Sequence, residues 1–446
     1  MIMKRCLLAC LITAGMTYTS HAQLHIRSLK DILAYADSNA VSITSSLIQQ
    51  QIAASKTKEA SAFLYPSVNA SAGFNDNLTL QPTLVPEQLF NPSAPADSYK
   101  EMKFGRQYIY SAGIQAQWNI LDFQRIFARQ TAALQETVEK SNTAINRFNT
   151  YNQLASSYYS IQLTKYMLEV CEKNLAATRE MLASAEDKYA RGVIGEQERN
   201  LVAIEHLRNE NNLQQATGNL DQYLRQLQSQ LNVQDEIIVD KEDGRVNVTD
   251  ASADIGQWPL HPEVDRQEIA LGMARASLKE TRAAHYPSLS AVYQYNYNWA
   301  TSSFMDLSGA NQLPQQYLGL KLSVPIFNGL ATRQRTKQAG LYYKIQEEQL
   351  NGIKLAKEKE DEILLIQYQQ SLKAVQKNKD ILALQEKNDF HSANQYKTGL
   401  ISLDVRIDRY KDLLSAQDLY LQSLAGYTLS QYKFYIRQLN FSTDAQ

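Results

Sequence analysis

All ten prolines of this 446-residue chain lie in two stretches, Pro66 to Pro95 and Pro259 to Pro325. Proline lacks the backbone N–H and clashes with the preceding helical turn, so the proline-free tracts are where long helices can run. Asp122 to Ala190 and Asn328 to Lys397 are such tracts. Each is about 70 residues without a strong stop and predicts a helix about 100 Å long. Globular helices seldom exceed about 25 residues, so this length implies a coiled-coil-like assembly. Ala144, Phe148, Tyr151, Ala155 and Tyr158 step by four and three, as a packing seam should. Leu403, Ile407, Tyr410, Leu414, Leu421 and Leu424 keep the same heptad register, with Gln417 filling the missing step.

The two runs end at Arg191-Gly192 and Thr398-Gly399, where glycine supplies the left-handed turn that reverses a chain. Return helices are expected from Glu196 to Leu231 and from Ser402 to Leu439. Upstream, helical stretches Leu29 to Leu64 and Pro262 to Ala284 each stop at Tyr-Pro, since proline disfavours helix in the residue before it. Asp122 and Asn328, the latter just after Pro325, stand at strand-to-helix junctions where their side chains can cap free N–H groups.

These landmarks occur twice. "YPSVNASAGFN" from Tyr65 matches "YPSLSAVYQYN" from Tyr286, "GIQAQWNILD" from Gly113 parallels "GLKLSVPIFN" from Gly319, and "YARGVI" from Tyr189 parallels "YKTGLI" from Tyr396. The chain is therefore two copies of one unit: a first repeat over 23–231, a charged inter-repeat segment over 232–260, and a second repeat over 261–446. The first copy carries the longer connection, Gln81 to Arg106, whose four prolines suit an exposed excursion.

Between the Tyr-Pro stops and the long helices, residues alternate in character, which predicts strands over 67–78, 107–120, 288–299 and 317–327. Leu289, Ala291, Tyr293, Tyr295, Tyr297 and Trp299 alternate with Ser290, Val292, Gln294, Asn296 and Asn298. Val68, Ala70, Ala72 and Phe74 alternate with Ser67, Asn69, Ser71 and Asn75; Tyr108 to Trp118 and Leu318 to Ile326 behave likewise. A soluble sandwich would use the same apolar faces as its core, but its other face would carry more charge. Here that face is Ser, Asn, Gln and Gly, with Lys321 the charge among them. Apolar out, polar in, with Tyr and Trp near the ends, is the pattern of a water-filled membrane barrel.

Composition agrees with such a setting. Mean hydropathy of −0.40 excludes a polytopic helical membrane protein, and a net charge of −1 points to no nucleic-acid partner. Residues 1–22 read as a secretory signal: Lys4 and Arg5, an apolar core over Leu7 to Met16, and Ser20-His21-Ala22 as a small-x-small cleavage site. Reading Leu7-Leu8-Ala9-Cys10 as a lipoprotein box would leave an apolar core too short for a signal. Cleavage removes Cys6 and Cys10 and leaves Cys171 alone, so there is no disulfide framework. Four strands cannot close a barrel, and lipid tolerates no open edge. Protomers must share one barrel, two giving eight strands and three giving twelve.

The duplicated Tyr-Pro-Ser strand start, the "VPIFNG" strand exit from Val324 to Gly329 and the two glycine turns resemble the TolC-like outer-membrane efflux proteins over nearly the whole mature chain. The resemblance implies a mainly α fold with a membrane β-barrel: homotrimers in which four strands per protomer complete a shared twelve-stranded barrel that continues into a long α-helical periplasmic tunnel. It implies a passive exit duct in the outer membrane of a Gram-negative bacterium, in contact with outer-membrane lipid. A periplasmic adaptor protein and an inner-membrane transporter would be its partners. It also places a gate at the helical turns, where Tyr396 and Glu198 match a Tyr–acid latch with Glu in place of the more familiar Asp. Asp408 matches an acidic ring position, and Asp404 lies one residue from a second, which Val405 occupies. Ile401 stands where some members carry a latching Arg.

No catalytic set, cofactor site or metal site is expected. His25, His206, His261, His285 and His391 are scattered without ligand spacing, and no glycine-rich phosphate loop is present. The rival functions are a secreted helical rod capped by a soluble sheet, and a general uptake porin in which the long helices would have no job.

Overall fold

The computed structural model describes residues 24–241 and 258–441. The signal assigned to residues 1–22, with Cys6 and Cys10, lies outside the described residues, as do 242–257 of the inter-repeat segment. The first half of the chain runs β1 (Leu24–Ile26), α1 (Leu29–Asn39), α2 (Val41–Ser61), a single 3-10 turn (Ala62–Leu64), β2 (Ser67–Asp76), β3 (Pro82–Pro86), β4 (Tyr99–Lys103), β5 (Tyr108–Leu121), α3 (Phe123–Ala190) and α4 (Glu196–Leu231). Then follow β6 (Ile237–Val239), α5 (Pro262–Ala283), β7 (Ser288–Thr301), β8 (Asn311–Ser323), α6 (Ala331–Lys397) and α7 (Leu403–Gln438). The duplication is visible in the helices: 68 and 36 residues in the first copy, 67 and 36 in the second.

The chain forms two compact units, each drawing on both repeats. One comprises Met1–Leu47, Thr143–Pro262 and Lys357–Gln446, the other Ile48–Asn142 and Glu263–Ala356.

In the first unit, β1 and β6 pair in parallel, with Leu24 opposite Ile237 and Ile26 opposite Val239. Ile26 and Val239 join Ile32 of α1, Tyr158 of α3, Leu231 of α4 and Ile436 of α7 in one core. The strand at Leu24–Ile26 carries no alternating signal of its own, being three residues long. The helix expected over Leu29 to Leu64 breaks at Ala40, whose backbone is extended at ψ 123°. Alanine is the best helix former, so propensity does not make this break. Ala40 is 1% exposed and packed in the core, and burial holds it. Ser28 starts α1 reciprocally: its Oγ accepts from Asp31 N at 3.4 Å, while Asp31 Oδ2 accepts from Ser28 N at 2.9 Å.

Along α6 and α7 a second core gathers Tyr368, Val375 and Leu382 against Tyr410, Leu413, Ala416, Tyr420 and Tyr427. The expected α7 seam holds through Leu403, Ile407 and Tyr410, then slips by a residue. Leu413, Ala416 and Tyr420 are buried, while Leu414 and Leu421 are only half-buried. Three successive steps of three, from Ile407 through Tyr410 and Leu413 to Ala416, fall short of the 3.6-residue turn and move the buried line. Tyr151, Ala155 and Tyr158 of α3 keep the expected steps and are buried.

The second unit carries a four-stranded antiparallel sheet in the order β2-β5-β7-β8. The bounds of all four strands differ from expectation, and β7 runs on from Trp299 to Thr301. β2 ends at Asp76, before the Leu78–Thr79 bend. A bulge between Asn119 and Leu121 carries β5 on to Leu121, opposite Leu289. The fourth strand runs Asn311–Ser323 rather than 317–327. Pro314 does not exclude its early part, because β8 is an edge strand with one side free. It stops at Ser323 because its partner does: Ser288, the first residue of β7, lies opposite. The excursion from Gln81 to Arg106 is exposed, as expected, and forms its own hairpin, β3 with β4. The unit's helical segments are joined largely by polar contacts, among them Ser141 Oγ to Asp265 Oδ2 at 2.8 Å and Gln267 Nε2 to Gln346 Oε1 at 2.9 Å.

Candidate functional site

The register of the sheet sorts residues into rows of one character. Val68, Ala116, Tyr293 and Leu318 face each other across the four strands, and Ala70, Ile114 and Tyr295 form the next row, which Gln316 completes on β8. Between them lie Asn69, Gln115, Gln294 and Tyr317, then Ser71, Gly113, Asn296 and Gln315. One face is thus mainly apolar, interrupted by Gln312 and Gln316 on β8, and the other mainly polar, with Ile109, Val292 and Leu313 among its residues, because side chains alternate with a period of two.

Neither face is covered by a second layer among the described residues. Leu318, Leu320 and Leu322 are 77%, 72% and 66% exposed. Each leucine left in water forgoes about 1.5–3 kcal/mol of burial, so this face requires an apolar medium. A sandwich would supply a second sheet packed on this one, and among the described residues none packs on it. β2 and β8 are both edges, so unpaired backbone groups border the apolar face. Lipid does not tolerate such edges, and the sheet must be completed by other strands.

Aromatic clusters mark both ends of the sheet. At one, Phe74 packs on Tyr110 at 5.0 Å and Phe304 at 6.0 Å, and Tyr297 on Trp299 at 4.7 Å. At the other, Trp118 Nε1 donates to Leu64 O at 2.9 Å, and Phe123 meets Tyr286 edge-on at 5.5 Å. Two such girdles are what the membrane–water interfaces of a barrel select.

The junction residues do distinct jobs. Asp122 Oδ1 accepts from Arg125 N at 3.1 Å, capping α3 at its third residue, and Arg125 Nε returns to Asp122 at 3.4 Å. Pro325 lies in extended coil after β8. Asn328 bonds Thr332 through its side chain and accepts from Ala331 N through its carbonyl at 3.3 Å, so it guides α6 from three residues upstream. The reversal between them uses positive φ at both Gly329 and Leu330, +66° and +67°.

Both helical turns close in the same way. Gly192 and Gly399 take φ of +70° and +77°. Val193 N donates to Lys188 O at 2.9 Å and Leu400 N to Gln395 O at 2.8 Å, the six-to-one bond of a Schellman motif. Beneath the turns, Tyr396 packs with Ala185, Val202, Leu403 and Ile407. Its ring is 8% exposed with Lys188 Nζ 3.6 Å from the centroid. Its hydroxyl is buried with no hydrogen-bond partner among the described residues. Glu198 is not that partner within the protomer: its Oε2 accepts from Gly195 N at 2.9 Å and starts α4. Asp404 and Asp408 are exposed, one helical turn apart on α7. The Ser402 hydroxyl and the Val405 backbone hold the Asp404 carboxyl below the usual carboxylate range.

Sequence reasoning missed a set of buried polar joints between the long helices. Arg406 is buried against Asp389 and Ser392, and Glu205 lies between Arg208 at 2.7 Å and Lys411 at 3.7 Å. Gln417, the odd polar residue of the seam, accepts from Asn174 Nδ2 at 2.8 Å. A polar residue at an apolar heptad position was the available signal. Glu205 and Arg208 are three residues apart on α4, whereas Glu205–Lys411 and Asn174–Gln417 join residues far apart in sequence and leave none. Among the described residues no His, Cys, Asp or Glu cluster could hold a metal.

The outer membrane efflux protein family model matches residues 33–233 and 260–425. No curated protein sequence matches the chain. Solved structures do. A membrane protein from Pseudomonas aeruginosa is 13% identical, with a TM-score of 0.75 over 97% of this chain and 95% of that one. CusC, described for transmembrane channel formation, is 16% identical, with 0.69 over 92% and 91%. The open-state MtrE outer membrane channel of Neisseria gonorrhoeae is 14% identical, with 0.71 over 92% and 88%.

Proposed function

This chain belongs to the outer membrane efflux protein family and is an outer-membrane efflux channel, and we propose that three copies form one exit duct, gated at the helical turns and served by a periplasmic adaptor and an inner-membrane pump. The observation that carries this reading is the uncovered sheet: an exposed apolar face, a polar face and two open edges. Three copies give twelve strands, enough to enclose a water-filled lumen. Stoichiometry of the detergent-extracted protein by native mass spectrometry tests it; three copies is the expected result, and two would overturn the twelve-stranded barrel.

At the turns, the acids Asp404 and Asp408 of each copy form rings that favour cations at the entrance. Single-channel selectivity in planar bilayers should lose its cation preference in the Asp404→Asn, Asp408→Asn variant; unchanged selectivity would sink this assignment. The buried Tyr396 hydroxyl calls for a partner, and Glu198 of a neighbouring copy is the proposed one. Tyr396→Phe should then raise resting conductance, and a closed resting state equal to the parent's would rule the latch out. Gly192 and Gly399 set the turns that present these groups.

A further inference from the structure

The polar rows of the sheet are almost free of charge. Across β2, β5, β7 and β8 they hold Ser, Asn, Gln and Gly with a few larger neutral residues, and Lys321 is the one ionic side chain among them. Its surroundings are small. Gly319 and Ser323 flank it on β8, Ser290 stands opposite on β7, and Asn119 lies beyond on β5. A four-carbon stem on that floor stands above its neighbours. Lys321 is exposed, and among the described residues no hydrogen bond or ion pair engages it. Arg125, the cation that follows β5 at the same end of the sheet, is already matched by Asp122 at 3.4 Å.

Position gives this isolated charge its consequence. Lys321 is two residues from the end of β8, at the end of the sheet where β2 begins and where β5 gives way to α3. In a barrel shared by symmetric copies, every Lys321 lies at one level of the lumen. The wall there is lipid-embedded and of low dielectric, which focuses the field of unmatched charges into the water between them.

Resting on the duct reading above, we infer that Lys321 forms a cationic collar at the base of the barrel, a binding and selectivity site for polyvalent anions. Its sign is opposite to that of Asp404 and Asp408 at the turns. The collar acts over about one Debye length, roughly 10 Å at 0.1 M salt and 3 Å at 1 M. It therefore discriminates solutes at low salt and fades as salt rises.

The test uses the full-length assembled protein in planar bilayers, with inorganic tripolyphosphate added on the barrel side in dilute KCl. Wild type should show concentration-dependent current block that weakens in concentrated KCl. Lys321→Gln should need about tenfold more tripolyphosphate, a loss of the charge-dependent attraction, and Lys321→Arg should restore the parent's block. Equal block in wild type and Lys321→Gln, or no block of wild type, would overturn the collar and leave the duct standing. Absence of conductance from every variant, with Tyr396→Phe added to release the latch, would overturn the duct reading itself.

Discussion

Arg437 grips Asp361 through two parallel hydrogen bonds of 2.8 Å, Nε to Oδ1 and Nη2 to Oδ2, with both side chains buried. The third arm, Nη1, donates to Pro259 O at 2.8 Å, which ties the end of α7 and the middle of α6 to the residues preceding α5. The guanidinium also lies 5.4 Å from the Trp258 ring.

Removing one partner of this pair leaves a buried charge unmatched. Asp361→Asn should destabilise the chain by about 3–5 kcal/mol, and Arg437→Lys should rescue little, because an ammonium cannot make the planar two-bond grip. Denaturant melts of the detergent-solubilised protein check both; a loss under about 1 kcal/mol for Asp361→Asn would show the pair to be incidental.

Adjacent residues of β5 should respond oppositely to charge. Ile114 lies on the apolar face and Gln115 on the polar one. Ile114→Arg should cost about 2–4 kcal/mol in the membrane and deplete the outer-membrane fraction. Gln115→Arg should assemble normally. Equal yields of the two in fractionated membranes would refute the assignment of faces.

Glycine is required at one lumen position and dispensable at another. A Cβ on Gly113 would meet Asn296 Oδ1 at 2.6 Å and Tyr295 O at 2.9 Å, whereas on Gly319 it would meet only Tyr317 Cδ2 at 4.0 Å. Gly113→Ala should lower stability by about 1–3 kcal/mol through strand displacement, and Gly319→Ala should be tolerated. Thermal melts compare them directly.

The entrance proposed at the helical turns should keep its charge well into acid. Because the Ser402 hydroxyl and backbone bonds depress the Asp404 carboxyl, the group stays ionised until pH falls through that lowered value. Cation preference should therefore persist below the usual carboxylate range, and Ser402→Ala should move its loss to higher pH. Reversal potentials recorded against pH, with Asp404→Asn as baseline, read the shift; coincident curves would remove Ser402 from the account.

Much of the fold was legible because it is periodic. Prolines bounded the helices, glycines at 192 and 399 fixed the reversals, and strict alternation separated the two faces of β7. Where prediction failed, neighbours in space had decided. Ala40 breaks a helix that its own propensity favours, because it is packed in a core with residues from distant elements. The seam of α7 slips after Tyr410 to meet Tyr368 and Val375 of α6. β8 ends where β7 has no more backbone to offer.

The candidate site divides along the same line. The acids at 404 and 408, the turn glycines and the lone Lys321 can be found in the sequence, since each is conspicuous against its local pattern. That Tyr396 hides its hydroxyl without a partner among the described residues, that Glu198 spends its carboxylate on Gly195, and that Arg437 clamps Asp361 are facts of three-dimensional placement. Local periodicity dictates which face of an element is apolar, because it depends only on residues a turn or a pleat apart. Pairing and burial depend on which elements meet, and that was settled by packing alone.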